Sequence, residues 1–125
     1  MRLLLAEDDP AIAMLIRDRF VFAGYEVTHV ADGGSAWKAA TAPGAAFDVA
    51  VIDVTLPVMS GIDVCRKLKA TPATSAIPVV MMTAKGQDSD EQSSLEAGAA
   101  EHIAKPFDIA VLLETAGRLA ARRPA

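Results

Sequence analysis

Short apolar runs alternate with helical patterns along the whole chain, and this alternation restricts the fold more than any other feature of the sequence. The runs at 49–52 and 77–82 are apolar and contain β-branched residues, as in strands buried on both faces of a sheet. Five strand segments and five helical segments follow one another in strict order. This order predicts a doubly wound α/β fold with a parallel sheet, right-handed crossovers and helices on both faces.

Local signals indicate where these segments begin and end. Asp9 before Pro10 is typical of an N-cap followed by the first helical residue, and Gly24 ends that helix. Asp108 is expected to cap the last helix, which continues to about Arg122. The predicted strands cover 3–6, 25–30, 47–54, 77–82 and 102–104, and the predicted helices cover 10–22, a short stretch around 37, 60–69, 87–97 and 109–122.

Side-chain patterns in the first helix and the second strand give more detailed expectations. Ile12, Leu15, Ile16 and Phe20 recur at helical spacing and form the apolar stripe of the first helix. The second strand alternates between apolar and polar residues, as strands near a sheet edge do. His29 is therefore expected to point towards solvent.

The length of the chain is suited to one domain, expected to cover residues 1–125. At 125 residues, about two-thirds of the surface of the unfolded chain can be buried, so one hydrophobic core suffices without disulfides or a structural metal. Cys65 is the only cysteine and cannot form an internal disulfide. A protein of this kind is expected in the reducing cytoplasm, with Cys65 as a small, partly buried apolar residue.

Charge and hydropathy argue against two kinds of partner. The chain has 12 Lys and Arg against 16 Asp and Glu, so it offers no basic surface for a phosphate backbone. We therefore expect no direct binding to nucleic acid. No apolar run approaches the 18 or so residues needed to span a bilayer, which predicts no membrane insertion.

Chemically distinctive residues follow four of the five predicted strands. Glu7 and Asp8 follow the first strand, Asp53 ends the third, and Thr83 and Lys105 follow the fourth and fifth. In a parallel α/β sheet, ligands bind outside the carboxyl ends of the strands. These carboxylates, the hydroxyl and the ammonium group are thus expected to meet at one edge of the sheet.

This combination of groups points to phosphoryl transfer. Carboxylates gathered in a cleft repel one another unless a hard cation neutralises them, and an oxygen-only ligand set is suited to Mg²⁺. Lys105 and Thr83 are suited to the oxygens of a transferring phosphoryl group. Asp53 is the natural nucleophile, because a carboxylate can form an acyl phosphate without a general base.

In these features the sequence resembles the CheY-like receiver domains of response regulators, which act in two-component and phosphorelay signalling. The resemblance covers essentially the whole chain. Intervals between consecutive members of the series Asp8, Asp53, Thr83 and Lys105 are 45, 30 and 22 residues, close to the spacing of that family. The matching motifs are Leu3–Asp9, Val51–Pro57 with Met59–Gly61, Met81–Ala84, Gly98-Ala99 and Lys105–Phe107.

The resemblance implies a fold and a metal site. It implies a five-stranded sheet in the flavodoxin-like order 2-1-3-4-5. It makes Asp53 the phosphoacceptor, with Glu7 and Asp8 as the acidic pair that serves Mg²⁺. In that family the metal also takes the phosphoacceptor carboxylate and the backbone carbonyl two residues later, here Thr55. Asp9 then lies outside the pair and keeps its capping role.

The resemblance also implies partners and a switch. A histidine kinase or a histidine phosphotransfer protein would supply the phosphoryl group, which Thr83 and Lys105 would contact after transfer. The fourth helix, fifth strand and fifth helix would form the output surface for a downstream protein. Lys105 and Pro106 would be joined by a cis peptide bond. Activity would be limited to self-phosphorylation and autodephosphorylation at Asp53, so the chain would not be an enzyme in the usual sense.

Two departures from the family pattern affect the switch and the phosphate lifetime. His102 occupies a position where the family usually has Tyr or Phe that rotates with the Thr83 hydroxyl. An imidazole is smaller and can be charged, so the rotation could be weakened, replaced by a polar contact or made pH-sensitive, unless His102 has no switching role. Thr55 and Lys85 lie two positions after Asp53 and Thr83. The resemblance implies that they border the path by which water reaches the phosphoaspartate, which makes them candidate modulators.

The sequence is compatible with three interpretations. We favour a single-domain receiver that acts by protein contact, as a monomer or a weak dimer linked to phosphorylation. The second is a receiver excised from a longer regulator or a hybrid kinase, with an effector domain after Ala125. The third is an aspartyl phosphatase of the haloacid dehalogenase type. Against it, Asp53 is mid-chain, the acidic pair precedes Asp53, and no cap domain fits.

Overall fold

The computed structural model describes residues 1–84 and 88–122, so Lys85 lies outside the described residues. Within these ranges five strands and five helices alternate, as the sequence predicts. The strands are β1 (Arg2–Ala6), β2 (Glu26–Val30), β3 (Val49–Asp53), β4 (Val79–Ala84) and β5 (Glu101–Lys105). The helices are α1 (Pro10–Phe22), α2 (Gly33–Thr41), α3 (Gly61–Ala70), α4 (Asp88–Glu96) and α5 (Ile109–Arg122).

All strand pairs are parallel, and the strand order is β2-β1-β3-β4-β5. The doubly wound fold and its flavodoxin-like order are therefore confirmed. The order reverses between β1 and β3, which leaves a crevice at the carboxyl ends of these two strands. All five residues of β3, the central strand, are buried.

Two apolar layers cover the two faces of the sheet, because successive side chains of a strand point to opposite faces. Helices α2 and α3 cover one face, and α1 and α5 cover the other. The first layer contains Leu4, Ile52, Met81, Ala36, Val64 and Leu68, and the second contains Leu5, Val51, Met82, Ile16, Phe20 and Leu112.

The helix caps are those that the sequence predicts, whereas some strand ends and the exposure of one side chain differ from the prediction. Asp9 accepts hydrogen bonds from the backbone N–H groups of Ala11 and Ile12, and Asp108 accepts one from Ala110. β4 begins at residue 79 and not at 77. Its late start has a physical reason, because Pro78 has no N–H group for the ladder.

Leu15 departs from the predicted stripe of α1, since it is 51% exposed. The fully buried positions of this helix are instead Ile16 and Phe20, with Ala13 almost as deep. Leu15 lines a groove between α1 and the loop after β5, which explains why it does not reach the core. None of the helices in the described ranges has the length and apolar character required to cross a membrane.

Candidate functional site

The carboxyl edge of the sheet brings the acidic residues and Thr83 together. Glu7 follows β1, Asp53 ends β3, and Thr83 lies one residue beyond Met82, the neighbour of Asp53 in β4. These three residues are almost completely buried, with 1%, 6% and 2% of their surfaces exposed. Such burial is uncommon for carboxylates unless they are paired. The placement results from strand order, since β1, β3 and β4 are adjacent.

Lys105 supplies the cation of this cluster from β5. Its Nζ lies 2.6 Å from Glu7 Oε1 and 2.9 Å from Asp53 Oδ2. One ammonium group thus bridges carboxylates that follow β1 and end β3, although β5 is an edge strand of the sheet. The peptide bond from Lys105 to Pro106 is cis.

Backbone N–H groups hold the second oxygen of each buried carboxylate. The N–H of Asp9 donates to Glu7 Oε2 at 3.1 Å, and the N–H of Thr55 donates to Asp53 Oδ1 at 3.1 Å. Each carboxylate therefore has one oxygen on Lys105 and the other on the main chain. This arrangement fixes the orientation of both groups before any ligand binds.

The protonation of Glu7 and Lys105 reflects this crowding. The pKa of Glu7 is raised to about 7, mainly by burial and to a smaller extent by neighbouring Asp53, while the Lys105 ammonium and the Asp9 N–H oppose part of the rise. Burial alone would lower the pKa of Lys105, but its hydrogen bonds to Glu7 and Asp53 outweigh burial and raise it. Lys105 is therefore cationic at neutral pH, and Glu7 is close to its titration point.

Three carboxylates are close enough to share a cation. Glu7, Asp8 and Asp53 each offer an oxygen, and these oxygens lie within 4.8 Å of one another. Asp8 is exposed while the other two are buried, so the cluster opens towards solvent on one side. Hard carboxylate oxygens with space for water are the ligands that Mg²⁺ prefers. The residues present therefore fit a magnesium ion.

The loop from Asp53 to α3 packs closely on the site. The Gly61 N–H donates to the carbonyl of Val54 at 2.8 Å, and a Cβ at Gly61 would lie 1.9 Å from the carbonyl oxygen of Asp53. Only glycine fits there without a shift of the backbone. The sequence motif includes Gly61, but its contact with Asp53 is visible only in the fold.

His29 is a neighbour of the site that the sequence did not reveal. It is exposed, as expected, but its Nε2 lies 2.8 Å from the backbone carbonyl of Glu7 and donates to it in the tautomer that carries the proton on Nε2. In the register of the sheet His29 pairs with Leu5, two residues before Glu7. Because no sequence pattern gives this register, the contact could not be predicted.

His102 contacts α4 at some distance from the carboxylates. Its Nε2 lies 3.1 Å from Glu91 Oε1, and the two side chains are 29% and 45% exposed. His102 pairs with Met81 in β4, two residues before Thr83. A polar link between α4 and β5 therefore occupies the position at which the family usually has an aromatic ring.

A comparison with family models identifies the family of the chain. Residues 3–116 match the model of the response regulator receiver domain. The chain belongs to this family. Membership in this family excludes the haloacid dehalogenase type of phosphatase for this domain, and it makes the domain a receiver of two-component signalling.

Curated relatives of this receiver domain are longer proteins. The DNA-binding dual master transcriptional regulator RpaA of Synechocystis is 37% identical over 114 residues, which cover 90% of this chain and 46% of RpaA. The chain spans about half the length of the curated relatives that it matches.

Solved receiver domains share the whole fold. A putative response regulator from Chloroflexus aurantiacus has a TM-score of 0.90 and 32% identity, and the match covers 97% of this chain and 98% of that one. The receiver domain of the sensor histidine kinase PA1611 from Pseudomonas aeruginosa has a TM-score of 0.86 and 32% identity, with 96% and 97% covered. That structure has a magnesium ion coordinated in its active-site cleft.

Proposed function

We propose that this receiver domain accepts a phosphoryl group on Asp53 from a phosphohistidine and uses the new charge to switch its output surface. The observation that carries the proposal is the Lys105 bridge, because one ammonium group contacts both buried carboxylates of an oxygen-rich, cation-binding cluster. The donor would be a histidine kinase or a histidine phosphotransfer protein. Such donors and the single Cys65 support a cytoplasmic location.

In the proposed reaction an oxygen of Asp53 attacks phosphorus. The phosphorus–nitrogen bond to the donor breaks, and the histidine nitrogen keeps the electron pair and takes up a proton. Thr55 N–H and Lys105 orient the two oxygens of Asp53 for this attack. Lys105 can then transfer a hydrogen bond to a phosphoryl oxygen.

Glu7, Asp8, Asp53 and the backbone carbonyl of Thr55 would hold Mg²⁺ at this site. When bound, the ion supplies charge neutralisation for the carboxylates and for the phosphoryl oxygens. Water that later attacks phosphorus would regenerate Asp53 and release phosphate. Thr55 and Lys85 are proposed to influence the rate of that step.

The phosphorylated state would be read through Thr83, His102 and the surface formed by α4, β5 and α5. Thr83 is buried in β4, and its hydroxyl can donate to a phosphoryl oxygen on neighbouring Asp53. We propose that a shift of Thr83 passes from β4 to its paired strand β5 and from there to α4 through the contact of His102 with Glu91.

A groove next to Lys105 is suited to binding a protein that donates the phosphoryl group. Ile12 and Leu15 of α1 line it together with Ala84, Pro106 and Phe107, and its volume is about 380 Å³. The groove is mostly apolar and lies beside the ammonium group that contacts Asp53. An apolar helix surface around a phosphohistidine could bind there.

Because the curated relatives are longer than this chain, there is a second candidate for what the switch controls. RpaA is described as a DNA-binding regulator, and the chain covers less than half of it. In a longer protein of that kind the same switch would control an attached effector, including one that binds DNA. As a single domain it would act by contact with another protein.

Asp8 and Asp9 are adjacent, but only Asp8 is a proposed metal ligand, so substitutions of these two residues give a matched test of the metal site. The purified chain is incubated with acetyl phosphate in Mg²⁺ or in EDTA, and phosphorylation is followed by intact mass. We expect labelling that requires Mg²⁺, is strongly reduced by Asp8→Asn and is unaffected by Asp9→Asn, because asparagine also caps helices. Equal labelling in EDTA, or equal losses in the two variants, would contradict the proposed metal site.

A further inference from the structure

His29 lies near the carboxyl end of β2, an edge strand of the sheet, and its side chain contacts the main chain of the site. The residue is exposed, but its Nε2 lies 2.8 Å from the backbone carbonyl oxygen of Glu7. A carbonyl oxygen only accepts hydrogen bonds, so the ring that makes this contact carries a proton on Nε2. The contact therefore fixes both the orientation of the imidazole and the nitrogen that donates.

Strand β2 holds the main chain of Glu7 on both sides of its Cα atom. The Glu7 N–H donates to the carbonyl of Val30 at 3.1 Å, and the Glu7 carbonyl accepts from His29. Ala6 and Val30 are the last pair in the register of β1 and β2. The imidazole thus extends the contact between the two strands by one further acceptor, at the start of the loop that follows β1.

The bound carbonyl belongs to the peptide group that joins Glu7 to Asp8. Adjacent side chains of an extended chain point to opposite sides, yet carboxylate oxygens of these two residues lie within 4.8 Å of each other and of Asp53. The orientation of the intervening peptide group therefore determines whether both oxygens reach one cation. Because Lys105 holds the Glu7 carboxylate, a rotation of this peptide group would move the exposed Asp8 carboxylate away from it.

We infer that His29 is a positioning residue for the proposed Mg²⁺ site, an inference that rests on the proposed function. It acts through the main chain, because its hydrogen bond holds the peptide group between Glu7 and Asp8 in the orientation that lets both carboxylates reach the ion. Ligands that are ordered before binding lose less conformational freedom when the ion binds. Groups that orient the ligands of a metal without touching it contribute a factor of about 10 to 100 in affinity.

Metal binding by the purified chain is the first measurement. Mn²⁺ is the probe, because it takes the same hard oxygen ligands as Mg²⁺ and its free concentration can be followed by electron paramagnetic resonance. His29→Leu and His29→Val remove the donor, whereas His29→Gln keeps an N–H group at the end of a side chain of similar length. Thr28→Leu is the control, since Thr28 is the preceding residue of β2 and its side chain points to the other face of the sheet.

We expect His29→Leu and His29→Val to raise the Kd for Mn²⁺ about tenfold, the lower end of the range, because the hydrogen bond is only partly buried. His29→Gln and Thr28→Leu should stay within about twofold of wild type. Recovery of affinity in His29→Gln separates the hydrogen bond from a general effect of substitution on the strand. His29→Val keeps the test decisive if His29→Leu does not fold.

Phosphorylation by acetyl phosphate at increasing Mg²⁺ concentration is the second measurement. In His29→Leu the Mg²⁺ concentration for half-maximal labelling should rise about tenfold, while the rate at saturating Mg²⁺ stays within about twofold of wild type. A lower rate at saturation with an unchanged half-maximal concentration would contradict a role in metal binding.

The remaining results separate the role of His29 from the proposed function. An unchanged Kd in both donor-free variants, or an equal loss of affinity in His29→Gln, would overturn the inference and leave the metal site intact. If Mg²⁺ does not displace Mn²⁺ from wild type, or Asp8→Asn binds Mn²⁺ as tightly as wild type, the metal site itself is contradicted, and the inference with it. Wild type that binds the metal but is not labelled at Asp53 would contradict phosphoryl transfer alone.

Discussion

At the level of single residues, Glu7 combines almost complete burial with two neighbouring carboxylates and a single ammonium group. Lys105 and the Asp9 N–H donate hydrogen bonds to its two oxygens. These bonds offset only part of the free-energy cost of burying an ionised carboxylate. A raised pKa in the folded state means that the fold binds a proton at Glu7 more tightly than the unfolded chain does. The metal-free domain should therefore lose stability as Glu7 ionises.

The raised pKa of Glu7 determines the sign of the pH dependence of the free energy of unfolding. Because the pKa of Glu7 rises from 4.5 to about 7 on folding, the free energy of unfolding in EDTA should fall as the pH rises from 5 to 7.5. We expect a decrease on the order of 1–3 kcal/mol, measured by urea denaturation. The pKa of Lys105 is also raised, but that group titrates far above this window.

Glu7→Gln is the control for this measurement. It keeps an oxygen for the hydrogen bond from Lys105 but has no proton to lose. Its unfolding free energy should be nearly constant between pH 5 and 7.5. A wild-type protein whose stability instead increases over this interval would show that Glu7 is not strained by burial.

The roles of individual residues in and around the site could be predicted from the sequence to different degrees. Asp53, Thr83 and Lys105 could be found because each follows a strand, and topology alone brings strand ends together. The contact of His29 with the Glu7 carbonyl depends on the register of β2, and the positive φ of Val58 (+73°) belongs to a turn held by the hydrogen bond from Gly33 of α2 to the Pro57 carbonyl. Both are tertiary effects without a local sequence signal.

At the level of elements, the close approach of α3 to β3 sets the position of the phosphoacceptor. The first residue of α3, Gly61, lies against the carbonyl of Asp53, and its N–H binds the carbonyl of Val54. The loop between them is thereby held at both ends. Any side chain at Gly61 has to displace the backbone that carries Asp53.

Two glycine substitutions separate this packing effect from helix propensity. Gly61→Ala places a Cβ 1.9 Å from a backbone oxygen and should destabilise the domain by more than about 2 kcal/mol. Gly117→Ala in α5 meets only Tyr25 Oη at 3.5 Å, so it should stabilise by up to about 1 kcal/mol through helix propensity. Thermal and urea unfolding measure both effects. A neutral Gly61→Ala variant would contradict the close packing of α3 on β3.

The ends of the elements were predictable where local chemistry determines them. Asp9 and Asp108 cap their helices as expected, because capping depends on residues close in sequence. The apolar run predicts a start of β4 two residues too early, because Pro78 within that run has no N–H group for the ladder. The exposure of Leu15 could not be predicted, because it depends on the groove formed with the loop after β5.

At the level of the whole molecule, the alternation of strands and helices determines the architecture, and the architecture determines the site. The parallel sheet follows from this alternation, whereas the order of its strands came from the resemblance to receiver domains. What the domain controls depends on the chain to which it is connected. The curated relatives are about twice as long, so a stand-alone role and a role within a larger regulator are separate proposals.

The central claim is that Asp53 receives the phosphoryl group, and locating that group tests it most directly. The chain is phosphorylated with acetyl phosphate and Mg²⁺, the acyl phosphate is reduced with borohydride, and the converted residue is found by peptide mass spectrometry. We expect one phosphoryl group per chain, with conversion at Asp53 and none in Asp53→Asn. Conversion at another residue, or undiminished phosphorylation of Asp53→Asn, would contradict the proposal.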